Sequence, residues 1–138
     1  SCTGGMISNR LTNISGSSQF FERGVISYSN DAKIQMLGVP EKLIKAYGAV
    51  SAEVARTMAE GVRNLASTDY GMSVTGIAGP TGGTAEKPVG LVYVGYADAR
   101  GSSVEKHTFA NDRIGNKQRS VQAALNLLRK NILSKSSK

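Results

Sequence analysis

Val74-Thr75-Gly76-Ile77-Ala78-Gly79-Pro80-Thr81-Gly82-Gly83-Thr84-Ala85-Glu86-Lys87-Pro88-Val89-Gly90 is the passage on which the architecture turns. One apolar run, Tyr70 to Val74, leads into it, and another, Leu91 to Ala97, leaves it, so it joins two buried strands. Glycines at 76, 79, 82 and 83 permit positive φ and let backbone N–H groups approach an anion or oxyanion, while Pro80 and Pro88 stiffen the path. Structureless connections longer than about 12 residues are uncommon in compact domains and are usually functional or disordered. The two prolines and the apolar anchors at both ends argue for function. Neither glycine-rich nucleotide signature is present, neither the P-loop nor the dinucleotide type, so the loop marks a site without naming its ligand.

On the C-terminal side, Ser103 to Phe109 reads as a further strand, joined to Leu91–Ala97 by the hairpin turn Asp98-Ala99-Arg100-Gly101. Asp112 then starts a long helix to about Leu133, with Ile114, Val121, Leu125, Leu128 and Ile132 on its apolar stripe. On the N-terminal side, Ser51 caps a helix over Ala52 to Leu65, whose core face is Val54, Met58, Val62 and Leu65. Before it stand a short helix, Glu41 to Tyr47, and another capped by Ser29 or Asn30, running through Lys33 and Leu37 to Gly38 and Pro40. Phe20 to Tyr28 reads as a strand, Asn13 to Ser18 as turns, and Met6 to Leu11 as helix. Strands alternating with helices predict an α/β domain, and the late hairpin predicts a mixed sheet.

A chain of 138 residues is one domain, large enough to fold around a core without a staple. The single cysteine, Cys2, excludes an internal disulfide framework and a cysteine-based zinc site, and fits a reducing, cytoplasmic setting. No apolar run reaches the roughly 20 residues that span a bilayer, so no membrane partner is expected. The charge of +7 invites a nucleic-acid reading, but Arg129, Lys130, Lys135 and Lys138 gather at the C-terminus, where they suit a helix end and a flexible basic tail over 134–138. Trp is absent and aromatics are few, so a base-stacking platform and a nucleic-acid partner are disfavoured.

Metal chemistry lacks ligands, with one His and one Cys. His107, flanked by Lys106 and Thr108, is remote in sequence from any nucleophile, which disfavours a Ser-His-Asp triad. Serine chemistry with a lysine or tyrosine base remains. Ser1-Cys2-Thr3-Gly4-Gly5 reads as a strand-to-helix turn, where Ser1 or Thr3 either serves as nucleophile beside oxyanion donors or caps the helix. An N-terminal nucleophile using the α-amine of Ser1 is a further reading. Tyr28 and Lys33 put a phenol and an amine about one helical turn apart, and Lys33 would need burial or a nearby cation to act as base. Tyr28-Ser29-Asn30 resembles the Tyr-x-Asn element of some serine β-lactamases, but no Lys-Thr-Gly accompanies it and the chain is too short for that fold.

Several motifs occur together and in order: Ser1-Cys2-Thr3-Gly4-Gly5, Gly16-Ser17-Ser18, Gly24 to Lys33, Gly48-Ala49-Val50-Ser51, Val74 to Gly83, Glu86 to Gly90 and Asn111-Asp112-Arg113. Together they resemble the CinA C-terminal domain family, the nicotinamide-nucleotide amidases, over residues 1–133. The resemblance implies a single three-layer α/β/α domain with a mixed sheet, cytoplasmic and homodimeric, needing no cofactor and no metal. It implies hydrolysis of the carboxamide of nicotinamide mononucleotide to nicotinate mononucleotide and ammonia, a pyridine-nucleotide salvage step. Position by position, it implies Ser1 as nucleophile, Lys33 and Tyr28 as its activators and proton carriers, and Thr75 as a further active-site hydroxyl.

Substrate contacts are expected from Thr3, Gly4, Gly5 and Asn30 and from Gly76, Gly79, Gly82 and Gly83, with Arg10 and Arg113 as chemical candidates for the phosphate. The family pattern also places a helix, a strand and a glutamate ahead of the position of Ser1, which the sequence does not contain. The competing expectation is a catalytically silent nucleotide-binding or regulatory module of a competence- or damage-inducible protein.

Overall fold

Hydroxyl and carboxylate side chains start three of the helices, as their positions predict. Ser29 Oγ accepts from Ala32 N–H (3.0 Å), Ser51 Oγ from Val54 N–H (3.3 Å) and Asp112 Oδ1 from Gly115 N–H (2.7 Å). A computed structural model describes residues 1–137; Lys138, counted with the basic tail, lies outside them. The elements are α1 (Met6–Thr12), α2 (Asn30–Leu37), α3 (Glu41–Tyr47), α4 (Ala52–Ala66), β1 (Gly71–Gly76), β2 (Leu91–Asp98), β3 (Gly101–Thr108) and α5 (Arg113–Ser136), with a 3₁₀ turn at Ser17–Gln19.

The three strands form one sheet in the order β1-β2-β3. Gly71 faces Ala97 and Gly76 faces Val92 across β1 and β2, while Leu91 faces Thr108 and Asp98 faces Gly101 across the hairpin. α4 packs across all three strands on one face, with α2 and α3 against it, and α5 covers the other face with α1 alongside. The α/β class and its three layers are therefore present. Val74, Val92, Val94 and Tyr96 pack with Ala124 and Leu127 beneath α5, and Val54 and Met58 pack with Leu37 and Val39 on the other side. Gly95 lets α4 lie directly on the sheet, since a Cβ there would stand 2.4 Å from the Ala55 carbonyl oxygen.

Among the described residues the sheet is antiparallel throughout, not mixed. Parallel pairing needs a long crossover, usually a helix, and the glycine-rich loop between β1 and β2 supplies none. That loop closes on itself instead: Gly90 N–H donates to the Ile77 carbonyl (2.7 Å) and Ile77 N–H to that of Leu91 (2.9 Å). Phe20–Tyr28 also departs from expectation, lying outside any strand, with Phe20 and Ile26 exposed.

The stripe predicted on α5 is rotated. Val121 is buried and Leu128 packs on the core, but Ile114 is exposed and the buried set is Asn116, Ser120, Val121, Ala124 and Leu127. α5 also continues through Ser136, where a flexible tail was expected from 134, because Lys135 pairs with Asp98 at 2.9 Å. β1 has no ladder partner on its outer edge among the described residues, and a cleft of about 710 Å³ runs beside it, walled by Phe20, Ile26, Val62, Met72 and Leu128. No helix among the described residues is long and apolar enough to cross a membrane.

Candidate active site

A second cleft, about 280 Å³, opens where β1 passes into the glycine-rich loop. Ser1, Tyr28, Lys33 and Thr75 all line it, as do Asn30, Gly76, Gly79, Gly82 and Arg113. With Ala49 and Val50, five segments far apart in the chain thus converge on one cavity. Thr3, Gly4 and Gly5 line the larger cleft on the other side of Ser1. Gly83 is exposed and packs against Val89, whose backbone nitrogen would stand 2.7 Å from a Cβ there, and it does not line the 280 Å³ cleft. Arg10 is exposed on α1 and reaches Gln122 on α5 (3.3 Å), outside the 280 Å³ cleft.

Ser1 sits at the open edge of the sheet, its main-chain nitrogen donating to the Val74 carbonyl. Gly4 N–H closes a turn back onto the Ser1 carbonyl (3.1 Å), and Gly4 and Gly5 take φ of 59° and 96° to lead the chain into α1. Thr75 lies one residue beyond Val74 on β1 and is 1% exposed; its hydroxyl donates to the Ala49 carbonyl (2.8 Å), tying the strand to the segment ahead of α4.

Lys33 is the electrostatic centre of the cavity. It lies in the first turn of α2 and is only 2% exposed. Its Nζ donates to three main-chain carbonyls, those of Ser27 (3.1 Å), Tyr28 (3.3 Å) and Ser29 (3.4 Å), and no carboxylate pairs with it among the described residues. Burial pushes the Lys33 pKa down, and the nearby Cys2 opposes that shift more weakly. Desolvation, and not the carbonyl bonds, is what makes this ammonium give up its proton more readily than one in water. The same coil buries Ser27, whose hydroxyl has no hydrogen-bond partner among the described residues.

Tyr28 is placed differently from Lys33. Its ring is 61% exposed at the rim, and its hydroxyl accepts from Arg113 Nη2 (3.2 Å). Arg113, at the start of α5, also donates through Nη1 to the Gly79 carbonyl (2.7 Å). One turn further along α5, buried Asn116 donates to the Ala78 carbonyl (2.9 Å) and accepts from Asn111 N–H (3.1 Å). These bonds fix the glycine-rich loop against α5. Sequence reasoning missed Asn116, because a polar residue in a helical pattern reads as solvent-facing.

Cys2 also lines the cleft, but burial pushes its thiol pKa up, with Lys117 and Arg113 offsetting this only in part. Burial thereby disfavours the thiolate, the reactive form of that side chain. No group of three or more His, Cys, Asp or Glu side chains lies together in the described residues.

The model of a family described as CinA C-terminal domain matches residues 1–132. The CinA-like protein of Syntrophus aciditrophicus is 53% identical over 131 residues, covering 94% of this chain and 31% of that protein. Two solved structures share the fold. The competence/damage inducible protein CihA of Agrobacterium tumefaciens has a TM-score of 0.89 at 42% identity, with 94% of this chain and 80% of that one covered. A competence damage-inducible protein of Klebsiella pneumoniae has a TM-score of 0.92 at 29% identity, with 96% and 83% covered. The chain spans about a third of the length of the curated relatives it matches.

Proposed function

The chain belongs to the CinA C-terminal domain family, and from that membership and the geometry of the cleft we propose that it is a serine amidohydrolase that deamidates nicotinamide mononucleotide. The observation that carries this reading is Lys33, a buried amine without a carboxylate partner, lining one cavity with the Ser1 and Thr75 hydroxyls. Structural lysines are normally paired or solvated, whereas a general base has to be desolvated to lose its proton near neutrality.

In the proposed reaction, neutral Lys33 takes the proton from Ser1 Oγ as that oxygen bonds to the carboxamide carbon. Backbone N–H groups receive the resulting oxyanion, each contributing on the order of 3 kcal/mol. The N–H groups of Gly4 and Ile77 are already engaged by the Ser1 and Leu91 carbonyls, so the donors come from neighbouring residues of the same two turns. Lys33 then passes its proton to the departing nitrogen, the C–N bond breaks and ammonia leaves an acyl-serine. Water gives a proton to Lys33 while its oxygen bonds to the acyl carbon. Cleavage of the ester bond returns the proton from Lys33 to Ser1 Oγ and releases the carboxylic acid, which loses its remaining proton to solvent or to the departed ammonia. Tyr28, held by Arg113 at the rim, orients the substrate and relays protons to solvent.

Ammonia release from nicotinamide mononucleotide, measured for the chain and for Ser1→Ala, tests the proposal. Turnover that falls to background in Ser1→Ala is the expected result. Turnover that persists removes the serine assignment. Nucleotide binding without turnover in the parent replaces the enzyme with the silent binding module.

A further inference from the structure

Where α3 gives way to α4, the consecutive main-chain carbonyls of Tyr47, Gly48 and Ala49 each accept a hydrogen bond from a different side chain. Ser51 Oγ donates to Gly48 (2.8 Å), Thr75 Oγ1 to Ala49 (2.8 Å), and Lys87 Nζ to Tyr47. Ser51 is the cap of α4 and Thr75 stands near the end of β1. Lys87 belongs to neither. It stands in the returning arm of the glycine-rich loop, 40 residues along the chain from Tyr47.

The bond from Lys87 is prepared on both sides. Within the loop, Thr84 N–H donates to the Lys87 carbonyl (2.8 Å) and Lys87 N–H to Thr84 Oγ1 (3.0 Å), a closed turn that fixes where the side chain starts. On the receiving side, Gly48 takes φ of 79°, and a Cβ there would stand 2.7 Å from Lys87 Nζ. Gly48 thus leaves the ammonium room to reach the Tyr47 carbonyl. A lysine often caps the last turn of its own helix in this way, but Lys87 reaches α3 from outside. It pairs with no carboxylate among the described residues, and it lines neither cleft.

The two partners of this bond carry different parts of the 280 Å³ cleft. Ala49 and Val50 line it from the 47–50 segment, and Thr81 and Gly82 line it from the exposed tip of the loop. Arg113 and Asn116 hold the loop to α5 through the Gly79 and Ala78 carbonyls. Among the described residues, no hydrogen bond other than that of Lys87 joins loop residues 77–90 to the 47–50 segment.

We propose that Lys87 is a positioning residue, which sets the width of the cleft by holding the glycine-rich loop to the 47–50 segment and thereby lowers KM for the carboxamide substrate. The inference rests on the amidase reading for what enters the cleft. Lys87 touches neither the substrate nor the reacting atoms, and it carries no proton in the reaction.

Lys87→Met and Lys87→Arg, each compared with the parent chain, test this by two readouts. Amide hydrogen exchange, which needs no turnover, should quicken in Lys87→Met at residues 81–86 and 48–50 while α5 keeps its parental rate. In ammonia release from nicotinamide mononucleotide, Lys87→Met should raise KM about three- to tenfold, as loss of one hydrogen bond does, and change kcat by less than about twofold. Lys87→Arg should return both readouts toward the parent, since a guanidinium still donates to a carbonyl. Parental exchange in Lys87→Met overturns the proposal, and so does a fall in kcat as large as the rise in KM. Faster exchange that Lys87→Arg reverses, in a parent chain that releases no ammonia, leaves the tether standing and removes the amidase.

Discussion

Lys33 Nζ stands 3.1 Å from the main-chain carbonyl oxygen of Ser27, and two further carbonyls, rather than any acidic side chain, accept its other hydrogen bonds. Lys33→Met is therefore expected to remove about two to four orders of magnitude of kcat. Lys33→Arg should not recover it, because a guanidinium keeps its proton. Full activity in Lys33→Met would exclude Lys33 as the base.

The pH dependence follows from the same burial. The folded-state pKa of Lys33 is depressed below its ordinary 10.5. Between the depressed value and 10.5 the unfolded chain binds more protons than the folded one, so unfolding free energy rises with pH across that window. Urea titrations at stepped pH should show this positive slope, and Lys33→Met should flatten it. The parent's kcat/KM should climb with pH on a limb whose midpoint lies below 10.5. A slope identical in parent and variant would mean that Lys33 retains an ordinary pKa.

Tyr28 and Lys33 are separable by the size of their effects. The Tyr28 hydroxyl accepts one hydrogen bond from Arg113 and is otherwise at the exposed rim, so Tyr28→Phe removes one orienting contact. The expected loss in kcat/KM is about tenfold, the value of one hydrogen bond to a charged group. A loss as large as that of Lys33→Met would place the phenol in the proton-transfer step itself.

Which features were legible in the sequence depended on whether their cause was local. Ser29, Ser51 and Asp112 act at the helix starts where their side chains predict, and the two-residue hairpin turn at Ala99-Arg100 follows from its own residues. Phe20–Tyr28 has strand-like composition, but a strand requires a neighbour to pair with, which a pattern read along one segment cannot reveal. The rotation of α5 has a similar origin. Asn116 turns inward because the Ala78 carbonyl needs a donor, carrying Ile114 out to solvent. Of the candidate site residues, Ser1, Tyr28, Asn30, Lys33, Thr75, Gly76, Gly79, Gly82 and Arg113 converge on the cleft, whereas Thr3, Gly4, Gly5, Arg10 and Gly83 do not.

Asn116 makes the loop's attachment testable. Asn116→Ala deletes a buried donor to Ala78 and a buried acceptor for Asn111, and leaves a small cavity. A stability loss of about 2–4 kcal/mol in urea unfolding is expected. Because the loop lines the cleft, KM should rise more than kcat falls. An unaltered KM would show that the loop keeps its place without this anchor.

At the opposite end of the sheet, Asp98 holds a buried cluster that includes the last turns of α5. It accepts from the Tyr96 hydroxyl (2.8 Å) and Arg100 N–H (2.7 Å), and pairs with Lys135, whose ammonium lies over the Tyr70 ring. The hydrogen bond from Lys135 holds the Asp98 pKa well below the usual carboxylate range, despite burial acting the other way. Burial and the bond to Asp98 push the Tyr96 phenol up to about 12. A depressed carboxylate pKa contributes stability that is fully present above the unfolded value of 3.8 and is lost as pH falls toward the folded value. Asp98→Ala removes that contribution and leaves the Tyr96 hydroxyl and Arg100 N–H without their acceptor. It should cost about 1–3 kcal/mol at neutral pH and release the end of α5 to faster amide exchange, and the stability difference between parent and variant should narrow as pH falls below 3.8. An acid unfolding midpoint unchanged by Asp98→Ala would show that the cluster contributes packing alone.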